Sequence, residues 1–80
     1  MRLDKFLKVS RIIKRRTIAN EACDAQRVLV NDKPARASYD VKVGDIIQVQ
    51  MGTKPFKAEI IEVNEYAKKD DAPSMYKIIE

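Results

Sequence analysis

The spacing of apolar residues changes period once, near residue 26, and that switch restricts the folds open to the chain. Before it, Leu3, Phe6, Leu7 and Ser10 recur at intervals of three and four, the repeat of one helix face. Asp4, Lys5, Lys8 and Arg11 fall opposite. A first helix is therefore expected over residues 2–10, with Phe6 and Leu7 entering the core and Lys5 and Lys8 facing out. A second helix is expected over 17–25, with an apolar stripe of Ile18, Ala19, Ala22 and Cys23. Small residues in that stripe let two helices approach closely, while Asn20 and Glu21 fall on the exposed side. Gln26 follows where a left-handed cap usually takes glycine, so mild strain is expected there.

After the switch, strand formers and turn residues alternate. Residues 27–30 read as a strand, and Asn31-Asp32-Lys33 as a tight turn. Residues 34–37 return beside it. Residues 40–45, with Gly44 supplying permissive turn geometry, lead into a strand over 46–51. Residues 56–63 alternate as a further strand, 64–74 form a polar loop, and 75–79 form a closing strand. Val28, Val30, Ile46, Val49 and Ile60 are assigned to the core. Two helices followed by a small curled antiparallel sheet make an α+β domain.

Between the helices lies the densest chemistry of the chain. Residues 11–16 carry Arg11, Lys14, Arg15 and Arg16, and Thr17 stands at an expected helix N-cap. A helix start presents free N–H groups and partial positive charge; guanidinium groups added there suit phosphate. The net charge of +4 conceals an asymmetry: residues 1–36 hold ten Lys/Arg against four Asp/Glu, whereas 37–80 hold six Lys against eight Asp/Glu. A basic half beside an acidic half points to a surface that meets a polyanion.

Other chemistries are restricted by what the chain lacks. With no histidine and one cysteine, a zinc finger is not expected, and histidine-dependent nucleophilic triads are excluded. Asp70-Asp71 lies in the polar loop beside lysines and reads as solvated, so the chain is not expected to be an enzyme, and no cofactor or metal is assigned. Cys23 sits at helical spacing among Ile18, Ala19 and Ala22 and reads as a buried structural thiol, compatible with a reducing cytosol. The N-terminus does not read as an export signal, and no apolar run approaches a membrane span. A cytoplasmic protein without membrane contact is expected.

In order, Arg2-Leu3-Asp4-Lys5-Phe6-Leu7, Arg16 with Ala19 in the second helix, Val28-Leu29-Val30-Asn31-Asp32-Lys33-Pro34 and Val43-Gly44-Asp45-Ile46 form a series. That series resembles the S-four RNA-binding domain, also called the alpha-L motif. The resemblance covers residues 1–50, and 51–80 look like the β extension of free-standing members, continuing the same domain. Length and the opening residues look most like the RqcP-like branch of the family, similar also to the small ribosome-associated heat-shock protein. The resemblance implies a factor of ribosome-associated quality control that docks on stalled large ribosomal subunits. It would contact large-subunit ribosomal RNA and peptidyl-tRNA, beside the RqcH tailing factor. Carried over by position, its RNA-binding surface falls on Arg2, Lys5, Arg11, Arg15 and Arg16. Asp32 and Gln26 depart from the glycines usual in the family. Lys14 enriches the basic field, and Lys33 follows the hairpin turn, so both join the candidate RNA-binding residues. A monomer is expected.

Ordinary roles compete with these. Arg15 and Arg16 have Glu21 and Asp24 as possible surface partners, but such pairs are weak and the cations outnumber the acids. Arg2 has the option of lying along its own helix. Asp4, a lone carboxylate in a basic helix, is expected to hold Arg2 or a second-helix arginine in position. Tyr39, Tyr66 and Tyr76 are too scattered to predict a base-stacking platform, so readout of folded RNA by shape is favoured. The alternative function is a protein-interaction adaptor using Glu59, Glu62, Glu65, Asp70 and Asp71.

Overall fold

The computed structural model describes residues 1–50, 52–53 and 55–79. Helix α1 (Leu3–Val9) and helix α2 (Arg16–Asp24) precede strands β1 (Val28–Val30), β2 (Lys33–Pro34), β3 (Ile46–Val49), β4 (Phe56–Ile60) and β5 (Tyr76–Ile78). The strands form one antiparallel sheet in the order β2-β1-β3-β4-β5, completing the expected α+β architecture. Register explains which residues enter the core. Val30 opposes Ile47, which opposes Ala58, and Val28 opposes Val49. These residues share the face that packs on Leu3, Phe6, Leu7, Ala19, Ala22 and Cys23. Residues one step out of phase turn to the other face. Ile46 is therefore only partly buried, and Ile47 takes the core place expected of it.

Both helices stop by turning the backbone left-handed at a residue that is not glycine. After α1, Arg11 has φ 62° and its amide donates to the Lys8 carbonyl at 3.0 Å. After α2, Gln26 has φ 60°, its amide donates to Cys23 and the Arg27 amide to Ala22. That paired return is a Schellman cap, so the conformation that favours glycine is adopted by glutamine. The β1–β2 turn repeats the pattern: Asn31 and Asp32 both have positive φ, 52° and 70°. This is the geometry of a two-residue hairpin matched to strand twist. The hairpin is tied down by side chains. Asn31 accepts from the Ile46 amide at 3.0 Å and donates to Asp45 at 3.1 Å. Asp45 also accepts from the Lys42 amide at 3.0 Å.

Several sequence expectations are corrected. Helix α2 begins one residue earlier than expected: Arg15 is the extended N-cap, no side chain caps it, and Thr17 lies inside the first turn. Starting at Arg16 puts that residue on the helix face that meets Asp4. Ile18 is 38% exposed, because Ala19, Ala22 and Cys23 already fill the contact with α1 and the sheet. The second hairpin strand is Lys33–Pro34 rather than 34–37; the Ala35 amide still donates to the Val28 carbonyl at 3.1 Å, and beyond it the backbone turns away, so that Ala37 accepts from the Asp4 amide at 3.1 Å. Strand β3 ends at Val49 and β4 at Ile60, both short of the expected ends, and Met51 lies outside the described residues. Within the expected loop 64–74 a 3-10 turn forms over Ala72–Met75. It inserts Met75, fully buried, beneath the sheet, where the Met75 carbonyl accepts from the Ile61 amide at 2.8 Å.

Candidate nucleic-acid interface

Asp4 is the pivot of the basic surface. Its position is buried, only 2% exposed, not opposite the core face as its spacing suggested. The first turn of α1 lies against 37–41, where the Leu3 and Asp4 amides donate to the Tyr39 and Ala37 carbonyls. This leaves the Asp4 carboxylate beneath the start of α2. It accepts from its neighbour's amide, Lys5 N, at 2.8 Å. It also accepts from Arg2 through Nε at 3.2 Å and Nη2 at 3.4 Å, from Arg16 Nε at 3.3 Å and from Asn20 Nδ2 at 3.3 Å. Burial pushes the Asp4 pKa up, but the hydrogen bonds from Asn20, Arg16 and Arg2 outweigh it and hold the carboxyl below its ordinary value. A carboxylate is acceptor-only when ionised, so a charged Asp4 fits all five of these bonds.

The consequence is orientation. Arg2 and Arg16 each give Nε to one shared carboxylate, while their side chains remain 50% and 47% exposed. Arg16, held through Nε alone, keeps both terminal nitrogens for an anion, while Arg2, which also gives Nη2 to Asp4, keeps its other terminal nitrogen. One fork comes from the N-cap of α1 and the other from the first residue of α2, and the shared carboxylate brings them together. Arg2 and Arg16, with Thr17, Asn20 and Glu21, line a shallow open depression.

The remaining candidates do not join that pair. Arg15, the N-cap, and Lys14 before it are exposed. Lys5 makes a 3.7 Å ion pair with Glu65, a contact the sequence did not suggest. Arg11 lines a different groove, with Ile12, Ile13, Val49, Phe56 and Tyr76. Lys33 lies on the hairpin, lining a third depression that also contains Asn31, Arg36 and Tyr39. Two residues of these surfaces escaped the sequence reading. Asn20 was placed on the exposed side, yet it is one of the Asp4 partners; its spacing of four from Arg16 was the available signal. Arg36 carried no pattern, since it follows the point where the strand breaks off.

The S4 domain family model matches residues 1–47, the stretch from the first helix into β3. The RQC P-site tRNA stabilizing factor of Streptococcus pneumoniae is 49% identical over 79 residues, covering 99% of this chain and 90% of the relative. The factor of the same name from Bacillus subtilis is also 49% identical over 79 residues, with 99% and 92% covered. A Helicobacter pylori protein of that name is 43% identical over 49 residues, 61% of this chain and 58% of the relative. Among solved structures, the trimeric Vibrio cholerae Heat Shock Protein 15 superposes with a TM-score of 0.91 at 25% identity, over 99% of this chain and 81% of that one.

Proposed function

The chain belongs to the S4 domain family, and from that premise we propose that it binds RNA to hold peptidyl-tRNA on stalled large ribosomal subunits. The names of its relatives support this reading. In this role it is a binding factor, not an enzyme, of bacterial ribosome-associated quality control, working in the cytoplasm. Its partners are large-subunit ribosomal RNA and peptidyl-tRNA, with an RqcH-type factor adding the C-terminal tail while the tRNA is held.

The observation that carries the proposal is the pair of guanidinium forks, Arg2 and Arg16, aimed outward by one buried Asp4. Phosphate contacts from such forks set position, and specificity comes from the shape of the RNA. Arg15 and Lys14 strengthen the field around the clamp, and Arg11, Lys33 and Lys5 extend the basic surface. Ion pairing to Glu65 leaves Lys5 the most restrained of these. Because Arg2, Asp4 and Arg16 belong to one chain, a monomer suffices.

The test is sedimentation of tagged wild-type and Arg16→Ala protein through sucrose gradients of lysate, with tRNA probed in every fraction. Wild type is expected with large subunits that carry tRNA, and the variant near the top. Wild type that stays with free protein refutes the ribosome reading.

A further inference from the structure

Phe56 and Tyr76 are distant in sequence, and aromatic residues make up only 6% of the chain. The sheet nevertheless brings their rings together, 5.8 Å between centroids at 71°. Both rings come from the inward-pointing phase of their strands, since Phe56 opposes Val49 and Tyr76 opposes Ile60. Neither is sealed into the core: both are partly buried and line an open groove of about 490 Å³ with Val49, Ile12, Ile13 and Arg11. The far wall is the connector between the helices. Its left-handed turn at Arg11 is held by the Arg11 amide on Lys8 and the Ile13 amide on Leu7, each at 3.0 Å. The same connector continues into exposed Lys14 and Arg15.

An aromatic-walled groove with a guanidinium in its lining, and two further exposed cations next in the connector that forms one wall, is complementary to a nucleotide. An apolar peptide or an acyl chain would fill the groove and leave Arg11, Lys14 and Arg15 without anionic partners. A polyanion following the connector brings phosphates to those cations, and the flat group it can present to the rings is a base. Single-stranded RNA is read by stacking of unpaired bases on aromatic side chains.

We infer that this groove receives one unstacked nucleobase, set against the Phe56–Tyr76 pair, with Arg11 meeting the phosphate of that nucleotide. The inference rests on the RNA-binding reading above and adds a second kind of contact to it. The Arg2–Arg16 forks hold paired backbone, and the Phe56–Tyr76 groove selects RNA with a base free to leave its stack beside the clamped helix.

The test uses two RNA hairpins of the same stem and loop, one fully paired and one with a single bulged 2-aminopurine, titrated with the intact protein at one fixed salt concentration. The bulged hairpin is expected to bind about tenfold tighter, within the range of one base stacked on an aromatic side chain. Its 2-aminopurine emission should change as the base leaves the stem for the rings. Phe56→Leu and Tyr76→Leu, confirmed folded by circular dichroism, should each remove most of the preference while leaving the paired hairpin bound. Equal wild-type affinity for both hairpins, with no change in emission, overturns the inference and leaves the RNA reading standing. A preference that survives both leucine variants overturns the placement of the base in this groove. If the wild type binds neither hairpin, the RNA reading fails first and the inference with it. The emission change in wild type is read without any variant, so loss of fold in a leucine protein does not remove the test.

Discussion

Replacing Asp4 by asparagine exchanges one carboxylate oxygen for an NH2 group and leaves the shape of the side chain, yet it should unsettle the whole basic corner. The ionised carboxylate accepts from Arg2, Arg16, Asn20 and the Lys5 amide. An asparagine must place an NH2 where one of those donors now points. Arg2 and Arg16 are about half exposed, so water takes up their lost contact and the ion pairs themselves amount to less than ~1 kcal/mol. The larger loss is the buried donor left facing a donor, ~1–3 kcal/mol. The sum expected at pH 7 is about 2 kcal/mol of lost stability.

The pH dependence gives the sharper test. The carboxyl of Asp4 is held below its ordinary pKa in the folded protein. Its stabilisation is therefore complete above the unfolded value, about 3.9, and is lost as pH falls through the lower folded value. Urea unfolding followed by circular dichroism should show the wild type well above Asp4→Asn at pH 7, with the gap closing below about pH 4. In parallel, the variant should bind RNA more weakly at pH 7, because Arg2 and Arg16 lose the group that aims them. A stability gap of the same size at pH 7 and pH 2.5 refutes the charge argument. RNA affinity unchanged in a folded variant refutes the orienting role.

Three further outcomes are expected. Cys23 is buried, and its thiol is pushed up to about 11 by burial and then by the charges of Asp4 and Asp24; a disulfide reagent at pH 8 should therefore react with urea-unfolded protein quickly and with native protein at least about a hundredfold more slowly. Gln26→Gly should raise stability by about 0.5 kcal/mol, since relief of a left-handed side chain exceeds the added freedom of the unfolded chain, and thermal unfolding should move up by a few degrees. Met75→Ala should cost about 3 kcal/mol in urea unfolding, because Met75 is fully buried within the core; a near-neutral result would mean that the 3-10 turn contributes little to the domain.

The architecture was legible because it rests on periodicity. Leu3, Phe6 and Leu7 at helical spacing, and the alternation through Val28 and Val30, mark one buried face each whatever lies opposite. What escaped depends on contacts between distant segments. Asp4 reads as solvent-facing until the loop at Ala37–Tyr39 covers the first turn of α1. Ile46 and Ile47 are indistinguishable in sequence, and register against Val30 and Ala58 decides which is buried. The start of α2 was misplaced by one residue because Thr17 has good capping chemistry, while the tertiary contact of Arg16 with Asp4 favours an uncapped start. In the candidate interface, the cationic residues were visible as composition. Their division among three separate surfaces, and the meeting of Phe56 with Tyr76, arise only once the strands are paired.

The two rims of the sheet carry a consequence for how partners are recognised. Strand β2 is two residues long and contains Pro34, which has no amide hydrogen to offer; β5 is three residues long and places Lys77 in solvent. Short rims bearing proline and lysine are poor templates for another chain's backbone. A passing extended segment gains little by pairing with either rim. Recognition of a partner thus falls to side chains rather than to backbone pairing at the two rims.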